Sequence, residues 1–143
     1  MRSISEINPL LVEKKEYLDE LFNITLNDVY VIELSKKDLE KMKQQDWVVG
    51  FAYPRKQIVF VLNQDEINRN YEEWLKVIVH EMVHIYYLRC FETSDPAWLF
   101  EGLACYIADQ KKSAEEFTIK DLITFFKKPN YSKGYLAVKK LLG

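Results

Sequence analysis

Residues 70–90 read NYEEWLKVIVHEMVHIYYLRC, and this stretch decides the fold. Asn70 is an N-cap residue by type, and Glu73 follows three positions on, the spacing of a capping box. The middle of the run, Val77-Ile78-Val79, Met82-Val83 and Ile85-Tyr86-Tyr87-Leu88, is apolar on every side of a helix that should extend to about Cys90. A helix that is hydrophobic all round is a buried one.

The segments on either side supply the other layers. Residues 9–23 have helical spacing in Leu10, Leu11, Tyr17, Leu18, Leu21 and Phe22, with Asn8 as cap and Pro9 at the first helical position. Three strand-like runs follow: Val29 to Leu34, Trp47 to Tyr53 and Gln57 to Leu62, with a short charged helix expected over Lys36 to Gln45. The second and third runs flank the polar turn Pro54-Arg55-Lys56 and should form a hairpin. Beyond the central helix, Phe91 to Ser94 reads as a loop. Asp95 is expected to cap a second helix, with Pro96 in its first turn, running to about Asp109. Two shorter helices are expected near Thr118 to Lys127 and Ser132 to Leu142, on either side of Pro129. Strands followed by helices predict an α+β domain with a three-stranded or slightly larger sheet. Its length of 143 residues fits one domain, with the N-terminal helix and sheet in 1–69 and the remaining helices in 70–143.

Composition narrows the function classes. At 48% hydrophobic, 14% aromatic and 29% charged residues, the chain can bury a substantial core. With 20 basic against 22 acidic residues and net charge −2, it lacks the basic excess of a nucleic-acid binder. Cys90 and Cys105 lie in apolar helical patterns, where a thiol behaves as a small hydrophobe. Glu6, Glu13, Lys14, Lys15 and Glu16 interrupt any leader-like apolar run, and no stretch approaches the roughly 20 apolar residues of a membrane span. The expectation is a soluble, cytoplasmic protein.

Chemistry concentrates in the buried helix. The only two histidines, His80 and His84, stand four residues apart and so share a face, with Glu81 between them. This is the HExxH arrangement of zinc hydrolases. Two neutral imidazoles one turn apart can bind one tetrahedral zinc ion at about 2.0–2.1 Å. The adjacent glutamate faces a water in the fourth position, whose pKa zinc lowers to about 7, and takes its proton as it attacks a carbonyl. Burial of an unpaired carboxylate is costly, and a metal compensates it.

A third ligand must come from elsewhere. The extended pattern HExxHxxGxxH is excluded, because Tyr87 stands at its glycine and Cys90 at its third histidine. Glu101 is the only acid before Asp109 in the second helix, amid apolar neighbours. Gly102 costs that helix about 1 kcal/mol relative to alanine, and its missing side chain would let the two helices approach closely. Two histidines and one glutamate leave the fourth position open, as catalytic zinc requires.

The histidine motif, the sixteen residues from Ile85 to Phe100, and Trp98-Leu99-Phe100-Glu101-Gly102-Leu103-Ala104-Cys105-Tyr106 together resemble the gluzincin zinc metallopeptidases. More narrowly, they are similar to the compact peptidase-MA-like domains called minimal gluzincins. The similarity covers Asn70 to Gly143 and includes Tyr131-Ser132-Lys133-Gly134-Tyr135, which resembles a Y-x-x-G/S-Y segment of such domains. The resemblance implies a zincin-like fold, one Zn2+ held by His80, His84 and Glu101, and Glu81 as general base. It implies an oxyanion donor at Tyr135 or Tyr131. It also implies a peptide or unfolded-protein substrate laid along a sheet edge, for which Gln57 to Leu62 is the candidate strand. One departure is Cys105, which stands where several relatives carry an acid that hydrogen-bonds a ligand histidine; Asp109 lies a further turn along. The expected activity is peptide-bond hydrolysis of metalloendopeptidase type. Its rival is a latent or non-catalytic zinc-binding regulatory or interaction module. Glu81 favours the enzyme, because a structural zinc site has no need of a base and is closed by a fourth protein ligand.

Overall fold

The computed structural model describes residues 1–45 and 48–110. Along the chain run β1 (Arg2–Ser3), α1 (Pro9–Phe22), β2 (Tyr30–Leu34), α2 (Lys36–Lys41), β3 (Gly50–Tyr53), β4 (Ile58–Leu62), α3 (Tyr71–Phe91) and α4 (Ala97–Ile107), with short 3-10 turns at Ile4–Glu6 and Pro54–Lys56. The class is α+β, with a mixed sheet in the order β1-β2-β4-β3.

The sheet is larger by one strand than its three legible runs, because β1 is only two residues long and has no alternation to read. It pairs antiparallel with β2, Arg2 opposite Val31. β2 and β4 are parallel, with Val31 opposite Val59, and β3 and β4 form the expected antiparallel hairpin, with Gly50 opposite Val61. The expectation that the Gln57 to Leu62 strand borders a cleft is corrected here. β4 is paired on both sides, so its backbone groups are already bonded, and among the described residues the edge strand on that side is β3. Val59 and Val61 are fully buried core residues.

α3 is apolar all round because it is covered all round: it packs against α1, β3, β4 and α4. Ile78, Met82 and Ile85 are fully buried, each contributing about 1.5–3 kcal/mol from apolar burial. Trp74, also fully buried, donates its indole N–H to the Leu62 carbonyl at 3.0 Å, tying the start of α3 to the end of β4. Tyr86 is buried against α1 and donates its hydroxyl to Asp19, which also pairs with Lys15 at 3.0 Å. On α1, Leu11 and Leu18 are buried in the core and Val12 and Phe22 pack against it half-buried, while Leu10, Tyr17 and Leu21 are exposed.

Caps account for the remaining differences. Asn70 accepts from the Glu73 amide at 2.8 Å as expected. The reciprocal capping box forms at α2, where Ser35 and Asp38 exchange hydrogen bonds, and that helix stops at Lys41 rather than Gln45. Asp95 does not cap α4. Its carbonyl accepts the Tyr87 hydroxyl at 2.7 Å, and Pro96, extended at φ −74° and ψ 145°, takes the cap position itself. The expected helices within 111–143, and Trp47 at the start of the second strand run, lie outside the described residues. No described helix is long and apolar enough to cross a membrane.

Candidate metal centre

Helical spacing places His80 and His84 one turn apart on α3, with their rings 4.6 Å apart and nearly perpendicular. Both are buried, at 8% and 7% exposure. Together with Glu81 they form a group whose ligand-type atoms all lie within 4.8 Å, able to hold a metal ion.

α4 brings the third side chain. The Tyr87 hydroxyl secures the loop just before α4, and α4 then packs along α3, with Gly102 and Ala104 buried. One oxygen of Glu101, Oε2, lies 3.2 Å from His80 Nε2 and 3.3 Å from His84 Nε2. Two ligands at 2.0–2.1 Å from a tetrahedral ion sit about 3.3 Å from each other. The donor set and its spacing therefore fit zinc, with two imidazole nitrogens and one carboxylate oxygen converging. Cys90, on the same helix, points away and donates its thiol to the Phe22 carbonyl at 3.6 Å.

The histidines are oriented differently. His80 Nδ1 lies 2.8 Å from Gln110 Oε1, with Cys105 Sγ at 3.8 Å. Gln110 reaches that point through the turn ending α4. Asp109 adopts the left-handed conformation at φ 55°, the Asp109 amide bonds the Tyr106 carbonyl, and the Gln110 amide bonds the Cys105 carbonyl at 2.9 Å. This is the Schellman pattern, and Asp is among the few non-glycine residues that visit its left-handed position readily. His84, by contrast, is stacked on Phe100, with ring centroids 3.8 Å apart and planes within 8°. Tyr87 packs edge-on against the other side of the cluster, 5.1 Å from Phe100. His84 Nδ1 is buried with no hydrogen-bond partner among the described residues.

The electrostatics follow from confinement. Burial pushes the Glu101 carboxyl up, but hydrogen bonds from His80 and His84, with their charge, outweigh it and bring it down to about 2. Burial pulls His80 down, yet its contacts with Cys105 and Glu101 and the charge of Glu81 take it up to about 10. Glu81 is held above the usual carboxylate range, chiefly by burial and further by Glu101, against the pull of the two histidines.

A Cβ built at Gly50 would sit 3.5 Å from Glu81 Cγ, so β3 and the Glu81 side chain are neighbours. The structure thus brings His80, Glu81, His84 and Glu101 into one cluster. Tyr131 and Tyr135 lie outside the described residues. Gln110 and Phe100 were not singled out from sequence. The only available hint for Gln110 was Asp109, an acceptable left-handed terminator for a helix without a following glycine. No protein-family model, curated protein or solved structure matches the chain.

Proposed function

We propose that the chain is a zinc-dependent metallopeptidase with a zincin-like fold, similar to the gluzincins, with His80, His84 and Glu101 holding one zinc ion. The observation that carries this reading is the convergence of both Nε2 atoms on a single Glu101 oxygen at 3.2 and 3.3 Å, with Glu81 beside them. A bound zinc ion would supply Lewis acidity toward water and a substrate carbonyl. Glu81, half-buried beside the two histidines, would accept a proton from the attacking water on its carboxylate and return it to the leaving amine. Glu101 would bring to the zinc ion the negative charge that two neutral imidazoles lack. Among the described residues β3 is the edge strand and runs beside Glu81, which suits an extended peptide or unfolded segment added as a further strand.

The test is cleavage of an unstructured protein by the zinc-loaded chain, run beside Glu81→Gln and read by mass spectrometry. Fragments that vanish in the variant support the peptidase. Zinc uptake without cleavage by either chain would overturn it in favour of a latent or non-catalytic zinc-binding module.

A further inference from the structure

The two histidines of the cluster are chemically alike but are held by unlike neighbours. We infer that the metal centre is set by two separate clamps: Gln110 positions His80 through a hydrogen bond, and Phe100 positions His84 through a stacked ring. The inference rests on the zinc reading above. Neither residue touches the metal; both are positioning residues that act through a ligand.

On the His80 side, the amide oxygen of Gln110 at 2.8 Å accepts from Nδ1–H. That fixes the tautomer in which the Nε2 lone pair faces Glu101 and the metal. An amide does this without bringing a further negative charge to a site that already contains Glu81 and Glu101. The turn at Asp109 makes the contact reproducible, because the Gln110 backbone is itself bonded to Cys105. On the His84 side no described group bonds Nδ1. The ring is instead confined between its own helix and Phe100, 3.8 Å away and nearly parallel. Phe100 immediately precedes Glu101, so the residue that clamps one ligand is covalently joined to another. Rotation of the His84 ring would break the stack and lift Nε2 from Glu101 Oε2 together.

Zinc affinity measured by competition with a chromophoric chelator, with Co2+ visible absorption on the same variants, tests this. Gln110→Leu should weaken zinc about 10–100-fold, and Gln110→Glu, which keeps the acceptor, should recover most of the loss. Phe100→Leu should weaken it about 2–10-fold, with Phe100→Tyr near wild type. The losses should multiply in the double variant, because each acts through a different histidine. Each leucine variant should alter the Co2+ ligand-field bands, while all the metal-free chains remain folded by circular dichroism. Wild-type affinity in both leucine variants would overturn the clamps alone, as would losses that the conservative variants do not recover. A wild-type chain that takes up no zinc, or that keeps it after His80→Ala, would overturn the metal centre and the clamps with it.

Discussion

Gly50 is where β3 meets the histidine helix, and its replacement by alanine has an outcome calculable from the packing. A Cβ there would lie 3.0 Å from Val77 Cγ1 and 3.1 Å from the Phe60 carbonyl oxygen. Neither neighbour yields easily. Val77 is buried at 3% exposure on α3 and stiff at χ1, and the carbonyl is main chain in the doubly paired strand β4. Overpacking of this kind costs about 1–3 kcal/mol. Against it stands about 0.4–1 kcal/mol gained by restricting the unfolded chain. The net expectation is a loss of about 1–2 kcal/mol, or roughly 2–8 °C in Tm at 2–4 °C per kcal/mol. The third neighbour, Glu81 Cγ at 3.5 Å, is at ordinary contact distance, so Gly50→Ala should spare the site. Gly50→Val should disturb Glu81 as well. Urea unfolding of metal-free wild type and Gly50→Ala measures the first effect. A variant as stable as wild type, or more stable, would refute the close approach of β3 to α3.

Two further outcomes follow from the same structure. Without metal, His80 is raised from 6.5 to about 10, so its stabilisation is complete below pH 6.5 and lost as pH rises toward 10; Glu101, lowered from 4.5 to about 2, loses its share as pH falls from 4.5 toward 2. Glu81, raised from 4.5, contributes stability that is lost as pH rises above 4.5. In chelator, Tm should therefore fall from pH 6.5 to 10, and His80→Asn should flatten that slope; equal slopes would contradict the pairing. Glu92 ends α3 exposed in the left-handed conformation, φ 57°. Glu92→Gly should stabilise by about 0.5–1 kcal/mol, since relief of about 1–2 kcal/mol of strain is partly offset by unfolded-state freedom; a destabilised variant in thermal unfolding would count against that geometry.

What was legible in the sequence was whatever depends on neighbours along the chain. The all-apolar run through Val77 to Leu88 marks a helix enclosed by other elements, Asn70 marks its start, and spacing alone puts His80 and His84 on one face. Glu101 could be singled out because a lone acid among Trp98, Leu99, Phe100 and Leu103 needs a partner. Strand order was not legible: the alternation in Ile58 to Leu62 is the same whether one neighbour pairs with it or two, and β1 is too short for any period. Asp95 reads as a cap by residue type, but a tertiary bond from Tyr87 claims its carbonyl. Gln110 and Phe100 acquire their meaning from side chains thirty and sixteen positions away, His80 and His84, which no local pattern encodes.

If His80, His84 and Glu101 hold the zinc ion, Cys105 stays out of its ligand shell, although its sulfur lies 3.8 Å from His80 Nδ1. Zinc-edge X-ray absorption of the stoichiometrically loaded chain reads that shell. Nitrogen and oxygen alone are expected, at about 2.0–2.1 Å, with the outer scattering of two imidazoles. A sulfur at about 2.3 Å, or a shell lacking imidazole, would contradict it.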